Sequence, residues 1–217
     1  MMKTHQILIV VFCMSPAILV GACTNTQHEP DSSSEQITEF KLVEREAWGS
    51  QDNATSLPEH HIEKITIHHG GEKFPDYRDP LQYLRALQSW SRSDKGWIDI
   101  PYHFVIDLKG TVYEARPLQY PGDTNTSYDP TGHALIQVVG DYRYRELSSA
   151  QLTAVIQMSA MLARRYEVPV SDIRGHLDYA PGETDCPGEN IYRYLRDGTI
   201  ANGVADLLLA DHRSERR

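Results

Sequence analysis

The sequence predicts an α/β fold, a single domain in which a central mixed β-sheet is flanked by helices. Segments rich in β-branched residues alternate along the chain with segments of helical periodicity. One strand-like segment is apolar almost throughout, which is typical of a strand covered on both faces. Beyond its N-terminal region the 217-residue chain shows no repeat and no second linker, so we expect one hydrophobic core.

The first two predicted elements are a strand and a helix. Residues 63–70, EKITIHHG, are rich in β-branched residues and end at a Gly-Gly pair, which predicts a strand. Residues 79–90 predict a helix with Asp79 as its N-cap and Pro80 at its first position. Its apolar residues Leu84, Leu87 and Trp90 fall on one side.

The next elements are a hairpin, a strand and two helices. Residues 102–116 predict a hairpin that turns at a Lys-Gly pair, and residues 133–140 predict a central strand. That strand, HALIQVVG, is apolar apart from its histidine and its glutamine. Residues 148–166 predict a helix that opens with a Ser-x-x-Gln capping box. Residues 198–217 predict an additional C-terminal helix.

The N-terminal region predicts export. Lys3 precedes an apolar run over residues 7–22, which is short for a spanning helix and typical of a signal peptide. The run ends in VGAC, which resembles a bacterial lipobox and implies that Cys23 is lipidated. An ordinary signal peptide or an uncleaved anchor is the alternative, and all three readings export the protein. We therefore expect a protein lipid-anchored in the bacterial cell envelope, in the periplasm or at the outer membrane.

The domain boundaries follow from composition. We expect a lipoprotein signal over residues 1–22 and a lipidated cysteine with a flexible linker over 23–39, because 24–39 holds a single aliphatic residue. The folded domain is then predicted over residues 40–209, followed by a charged tail over 210–217. The formal net charge of −9 argues against a nucleic-acid partner.

Cys186 has no cysteine partner in the exported domain. Cys13 lies in the segment that export would remove, and Cys23 is the expected lipid site. A single thiol in an oxidising compartment is expected to be buried, catalytic or bound to a metal. Cys186 lies in a loop rich in glycine and proline, ten positions after His176.

Histidines close to the predicted strand end extend this candidate metal site. His68 and His69 end the first strand, and with His176 and Cys186 they offer the imidazole and thiolate ligands that zinc prefers. A catalytic zinc takes three protein ligands and keeps a fourth position for water. Strand alternation alone does not choose between the two adjacent histidines, and a structural role for the pair is the alternative.

Several motifs, in this order along residues 41–195, resemble one family. They are LVEREAWG (42–49), KITIHHG (64–70), LQSWSRSDKGWIDIPYHFVIDLKGTVYEAR (87–116), the helix that begins LSSAQL, and GH…TDCPG. Together they resemble the zinc-dependent N-acetylmuramoyl-L-alanine amidases of type 2, a family that includes the peptidoglycan recognition proteins.

The resemblance implies roles for individual residues. It implies that His68, His176 and Cys186 bind Zn²⁺. It implies that Tyr102 is catalytic, with a hydroxyl that stabilises the developing oxyanion, and that Thr184 assists. The alternative for Tyr102 is a core aromatic residue, and the alternative for Thr184 is a hydroxyl that only bonds the backbone.

The implied activity is hydrolysis of the amide between N-acetylmuramic acid and L-alanine, in peptidoglycan or muropeptides, by a monomer. A non-catalytic peptidoglycan-binding lipoprotein is the alternative, although binding-only relatives typically lack the ligand cysteine. A structural zinc domain is disfavoured because such sites usually have four protein ligands. Two features depart from recognition proteins: the His176–Cys186 spacing is longer, and Ser91 stands where a histidine usually borders the substrate groove.

Overall fold

A computed structural model describes residues 41–51 and 57–214 of the chain. The predicted signal peptide, Cys23 and the linker lie outside the described residues. Within the described part, six strands form one sheet: β1 (Leu42–Val43), β2 (Lys64–His69), β3 (Phe104–Ile106), β4 (Val112–Glu114), β5 (His133–Val138) and β6 (Ile173–Gly175).

The sheet is mixed, as the sequence predicts. Its strand order is β1-β4-β3-β5-β2-β6, and β3 and β4 form the antiparallel hairpin. The other neighbouring strands are parallel. All six residues of β5 are buried, in agreement with the apolar sequence that predicted a central strand.

Helices cover both faces of the sheet. Five are described: α1 (Pro80–Ser93), α2 (Ser149–Tyr166), the single turn α3 (His176–Tyr179), α4 (Glu189–Arg196) and α5 (Thr199–Ser214), with 3₁₀ turns at Arg45–Trp48 and Val170–Asp172. Helix α2 contacts β2, β3 and β5 on one face and packs against α5. Helix α1 contributes to a second core cluster with Trp48 on the other face.

The alternation of strand side chains separates these two cores. Ile65 and Ile67 of β2 belong to the core that contains α2 and α5. Val105 of β3 belongs to the core that contains α1. Residues at even positions of β2 therefore point toward the α1 face, because successive side chains of a strand point to opposite faces.

Local signals in the sequence account for the helix starts. The Asp79 carboxylate accepts a hydrogen bond from the backbone N–H of Leu81 at 3.0 Å, and Pro80 occupies the first helical position. Ser148 and Gln151 form the predicted capping box of α2. The predicted C-terminal helix is present as α5.

Helix α5 continues past the domain boundary predicted at Leu209. The helix runs to Ser214, and Asp211 is buried in an ion pair with Arg164 of α2. The predicted charged tail therefore begins as part of the folded domain. None of the helices in the described ranges combines the length and the apolar character needed to cross a membrane.

Candidate metal centre

The register of parallel strands brings His68 and His176 together. Ile67 of β2 is paired with Gly175 of β6, and each histidine is the next residue along its chain segment. Both side chains therefore lie at the carboxyl ends of neighbouring parallel strands, where α/β folds place their ligands. Their ring centroids are 4.6 Å apart.

The two faces of the sheet distinguish His68 from His69. His68 points to the α1 face, where its ring lies 5.2 Å from that of Tyr102. His69 is turned away: its Nδ1 accepts a hydrogen bond from the backbone N–H of Tyr142 at 3.2 Å, and the carboxylate of Asp141 lies 3.9 Å away. The structure thus groups His68, rather than His69, with His176.

Cys186 completes this group from the loop that follows α3. Its sulfur lies 3.6 Å from Nδ1 of His68 and 3.4 Å from the backbone nitrogen of His69, which donates to it. One ligand atom each from His68, His176 and Cys186 can be chosen so that all three lie within 4.8 Å of one another. All three residues are buried.

Backbone contacts hold the cysteine loop in place. The N–H of Leu177 in α3 donates to the carbonyl of Cys186 at 2.8 Å, which ties the cysteine to the turn that carries His176. Gly188 has a φ of +81°, and a Cβ there would lie 2.5 Å from the carbonyl carbon of Tyr142. Only glycine allows this close approach. Gly188 therefore lets the cysteine loop pack directly against the segment that follows β5.

Burial keeps the two histidines neutral. Desolvation lowers the pKa of His68 well below its ordinary value, and the nearby His176 acts in the same direction. Desolvation likewise lowers the pKa of His176 to about 4. At neutral pH each ring therefore carries a free lone pair, which is the form that binds a metal.

The buried position of Cys186 favours its thiolate form only when a cation lies beside the sulfur. Burial raises the pKa of the Cys186 thiol to about 12, although the N–H of His69 opposes this shift. A thiolate in this position needs a positive charge beside it, which a metal ion supplies.

Two further observations test whether these residues fit zinc. The distance of 3.6 Å between Nδ1 of His68 and Sγ of Cys186 is close to the separation of about 3.5 Å expected for two ligands of one tetrahedral zinc ion. Nε2 of His68 is buried and has no hydrogen-bond partner in the described residues, so His68 is not a fully satisfied core histidine. The donor set fits a zinc ion with three protein ligands and a fourth position open.

Tyr102 lies beside this group. Its ring faces His68, packs partly against the α1-side core and lines the adjoining cavity. Burial raises its pKa well above the ordinary value, so its hydroxyl stays protonated and can donate a hydrogen bond. Its half-buried ring, which packs against the core and lies next to His68, is compatible with both the core alternative and the catalytic alternative.

Thr184 also lines the cavity, and its hydroxyl has a local task. Its Oγ1 accepts a hydrogen bond from the backbone N–H of Cys186 at 3.1 Å. This contact agrees with the alternative given for Thr184 in the sequence analysis, a hydroxyl that bonds the backbone. It shapes the turn that presents the cysteine sulfur.

A cavity of about 590 Å³ opens in front of the three candidate ligands. Leu87 and Trp90 of α1 line it, so part of the apolar side predicted for this helix forms a cavity wall. Ser91 does not line it: the side chain is fully buried and its hydroxyl donates to the carbonyl of Leu87 at 2.7 Å. The expectation that Ser91 borders the substrate groove is therefore wrong, because this position of α1 points into the protein.

Sequence reasoning missed two residues next to the ligands. Thr126 contacts Nε2 of His176 through its hydroxyl at 2.7 Å. Gln137 of β5 is paired with His68 in the sheet register and lines the cavity. Gln137 could have been noticed in the sequence because it is a polar residue inside a mostly apolar strand. Thr126 lies in a loop of polar residues, where nothing in the sequence distinguishes it from its neighbours.

The fold and this site together define an α/β domain with a candidate three-ligand metal centre at the carboxyl ends of its strands. The family model for N-acetylmuramoyl-L-alanine amidase, Amidase_2, matches residues 58–189, which is more than half of the chain. The chain belongs to this family.

The relatives of this chain include both recognition proteins and amidases. Peptidoglycan-recognition protein SC2 of Drosophila simulans is 29% identical over 161 residues, covering 71% of this chain and 84% of the relative. An N-acetylmuramoyl-L-alanine amidase of Sus scrofa is 31% identical over 122 residues, covering 52% of this chain but 19% of the relative.

Solved structures show the same fold. Drosophila peptidoglycan recognition protein SD has a TM-score of 0.64 at 23% identity, covering 73% of this chain and 94% of that protein. The amidase LysC of Clostridium intestinale has a TM-score of 0.59 at 24% identity, covering 75% and 97%. A variant of Drosophila PGRP-LB, solved in complex with tracheal cytotoxin, has a TM-score of 0.62 at 21% identity, covering 71% and 92%.

Proposed function

We propose that this protein is a zinc-dependent N-acetylmuramoyl-L-alanine amidase that hydrolyses the amide between N-acetylmuramic acid and L-alanine in peptidoglycan or muropeptides. The observation that carries the proposal is the buried group of His68, His176 and Cys186 at the head of an open cavity. A structural zinc would normally be closed by a fourth protein ligand, whereas three ligands beside a cavity leave room for water and substrate.

The cavity suits a muropeptide. Its volume of about 590 Å³ lies in the range of ordinary ligand sites, and its walls combine apolar and polar side chains. The PGRP-LB structure with tracheal cytotoxin shows that a protein of this fold can hold a muropeptide. By analogy, the glycan and the stem peptide would lie along the cavity with the scissile amide at the three ligands.

Zinc held by His68, His176 and Cys186 would lower the pKa of a water molecule and polarise the scissile carbonyl. In the net reaction the water oxygen bonds to the lactyl carbonyl carbon, the C–N bond breaks and a proton passes to the amine of L-alanine. The Tyr102 hydroxyl, kept protonated by its raised pKa, would donate to the oxygen on which negative charge develops. The Thr184 hydroxyl would act by holding the backbone N–H of Cys186.

A peptidoglycan-binding protein without catalysis is the second candidate, because recognition proteins are among the relatives. It makes no use of the buried thiol, which has no disulfide partner in the described residues. Cys186 therefore favours the enzyme.

The two candidates separate in one experiment. The purified protein and a Cys186→Ala variant are incubated with muropeptides, with zinc or with a chelator, and the products are resolved by chromatography and mass spectrometry. We expect free stem peptide only from the unsubstituted protein with zinc. Intact muropeptides bound equally well by both proteins would instead identify a binding protein.

We also propose that the domain is exported and held at an envelope membrane by a lipid on Cys23. The support is the lipobox-like sequence that ends in Gly21, Ala22 and Cys23. In a bacterial host, metabolic labelling with a fatty-acid analogue should mark the unsubstituted protein and not Cys23→Ala. Equal labelling of the two, or labelling of neither, would contradict the lipid anchor.

A further inference from the structure

The ligand histidine on α3 is held by a hydroxyl. Oγ1 of Thr126 lies 2.7 Å from Nε2 of His176, and Oγ1 of Thr124 lies 3.4 Å from the same nitrogen. The two hydroxyl oxygens are themselves 2.8 Å apart. A neutral imidazole has one donor and one acceptor nitrogen, so a hydroxyl that accepts from Nε2–H leaves the lone pair on Nδ1.

The loop that carries Thr126 is fastened to the cysteine loop. The backbone N–H of Ser127 donates to the Glu183 carboxylate at 2.8 Å, and the Ser127 hydroxyl donates to its other oxygen. Glu183 lies three residues before Cys186. The position of Thr126 is therefore set relative to two of the three candidate ligands, His176 and Cys186.

His68 has a complementary neighbour. Its Nε2 and the Oε1 of Gln137 are both buried, and neither has a partner within the described residues. The two residues are paired in the register of β2 and β5, so their side chains emerge on the same face of strands about 4.8 Å apart. Nε2 of Gln137 donates to the Tyr83 hydroxyl at 3.0 Å, which leaves Oε1 as the free acceptor of the amide.

A buried polar atom without a partner is costly, and here two such atoms belong to residues that are paired in the sheet. One contact between them satisfies both, whether a small shift of the Gln137 amide makes it directly or one water bridges it. The contact would place the proton of His68 on Nε2 and leave Nδ1, which lies 3.6 Å from the Cys186 sulfur, free to bind a metal.

We propose that Thr126 and Gln137 are positioning residues that accept hydrogen bonds from Nε2–H of His176 and His68, so that both rings present Nδ1 to the zinc ion. The inference rests on the zinc site of the proposed function, and it does not require that the site be catalytic. Outer partners of this kind fix the tautomer and the orientation of ligand histidines, and their loss typically costs 10–100-fold in metal affinity.

Zinc affinity tests the proposal directly. The full-length chain is titrated with zinc against a competing chelator, together with Thr126→Val and Gln137→Met, which keep approximate side-chain volume and remove the acceptor. We expect each variant to bind zinc about 10-fold more weakly. The matched control Thr126→Ser, which keeps the hydroxyl, should stay within about 2-fold of the unsubstituted chain.

The tautomers give an independent readout. In ¹⁵N-resolved NMR spectra of the zinc-loaded protein, both ligand histidines should carry their proton on Nε2, and Gln137→Met should broaden or shift the signals of His68 alone. Thermal unfolding of each zinc-free variant, compared with the unsubstituted chain, distinguishes a lost partner from a damaged fold.

The outcomes separate this inference from the proposed function. Folded variants with unchanged zinc affinity, or a zinc bond at Nε2 of either histidine, would overturn the inference alone. Zinc binding that depends on Thr126 and Gln137 in a protein without amidase activity would support the inference and overturn the proposed enzyme. An unsubstituted chain that binds no zinc would overturn both.

Discussion

Two pairs of buried or half-buried histidines in this domain differ in what surrounds them. The rings of His60 and His103 lie 5.9 Å apart, and those of His68 and His176 lie 4.6 Å apart. In the first pair every ring nitrogen bonds to the backbone. His60 bonds through Nε2 to the carbonyl of Leu118 and through Nδ1 to the N–H of Gly132. His103 bonds through Nε2 to the carbonyl of Tyr120 and through Nδ1 to the N–H of Leu135.

In the second pair one nitrogen of each ring approaches another side chain. Nδ1 of His68 approaches the Cys186 sulfur, and Nε2 of His176 contacts Thr126. Burial and lowered pKa values are common to His103, His68 and His176, so neither property identifies the functional pair. The distinguishing features are the convergent thiol and the nitrogens that the backbone does not satisfy.

The largest expected effect is the loss of zinc affinity when a histidine of the second pair is replaced, compared with the same replacement in the first pair. His68→Gln should weaken zinc binding by more than about 100-fold, because loss of a ligand should exceed the 10–100-fold effect of losing an outer partner. Activity should then fall to that of the chelated protein. His60→Gln should retain zinc affinity within about 2-fold. Competition titrations and muropeptide assays on both variants check this, and equal losses would remove the distinction between the pairs.

Tyr102→Phe tests whether the Tyr102 hydroxyl, which lies on the His68 side of the cavity, takes part in catalysis. The hydroxyl is expected to stabilise developing negative charge, so kcat should fall by about 100-fold, or ~3 kcal/mol, while zinc affinity stays the same. Steady-state kinetics and a zinc titration measure the two effects. An unchanged kcat would show that Tyr102 is a core aromatic residue without a catalytic role.

A change in His103 should affect stability rather than function. His103→Leu leaves the Leu135 N–H and the Tyr120 carbonyl without their partner, which should lower the free energy of unfolding by roughly 2–5 kcal/mol. Zinc affinity of the folded variant should not change. Urea unfolding of the zinc-free protein checks the first expectation, and an intact midpoint would show that the His103 contacts carry little stability.

The same residue predicts a pH dependence. Burial lowers the pKa of His103 to about 3 in the folded protein, against about 6.5 in the unfolded chain. The unfolded state therefore binds more protons between these values, so the contribution of His103 is fully present above about pH 6.5 and is lost as the pH falls toward 3. Stability profiles of the unsubstituted protein and His103→Gln, each zinc-free, should differ in slope over this window; parallel profiles would contradict the assignment.

The smallest effect is expected at Thr184. Its hydroxyl accepts one hydrogen bond from the Cys186 N–H, a contact worth about 1 kcal/mol. Thr184→Val should therefore lower kcat by no more than roughly tenfold, and Thr184→Ser should restore it. A loss as large as that of Tyr102→Phe would show that Thr184 acts on the substrate itself.

The long elements were predictable because their patterns extend over several residues. The α2 helix repeats its apolar side through 18 residues and opens with a capping box, and β5 is apolar over most of its length. The strands β1 and β6 and the turn α3 have two to four residues each, too few for any periodicity. Their conformations depend on neighbours that the pairing of the sheet supplies.

The sequence by itself determined the alternation of strands and helices, the absence of a second cysteine beside Cys186 over residues 40–209, and the residue types that could bind zinc. Only the tertiary structure decided which of two adjacent histidines joins the group, because that depends on which face of β2 borders the cavity. The same holds for Thr126 and Gln137, since hydrogen-bond partners are set by strand register and loop packing, and these arise from contacts between residues far apart in the chain.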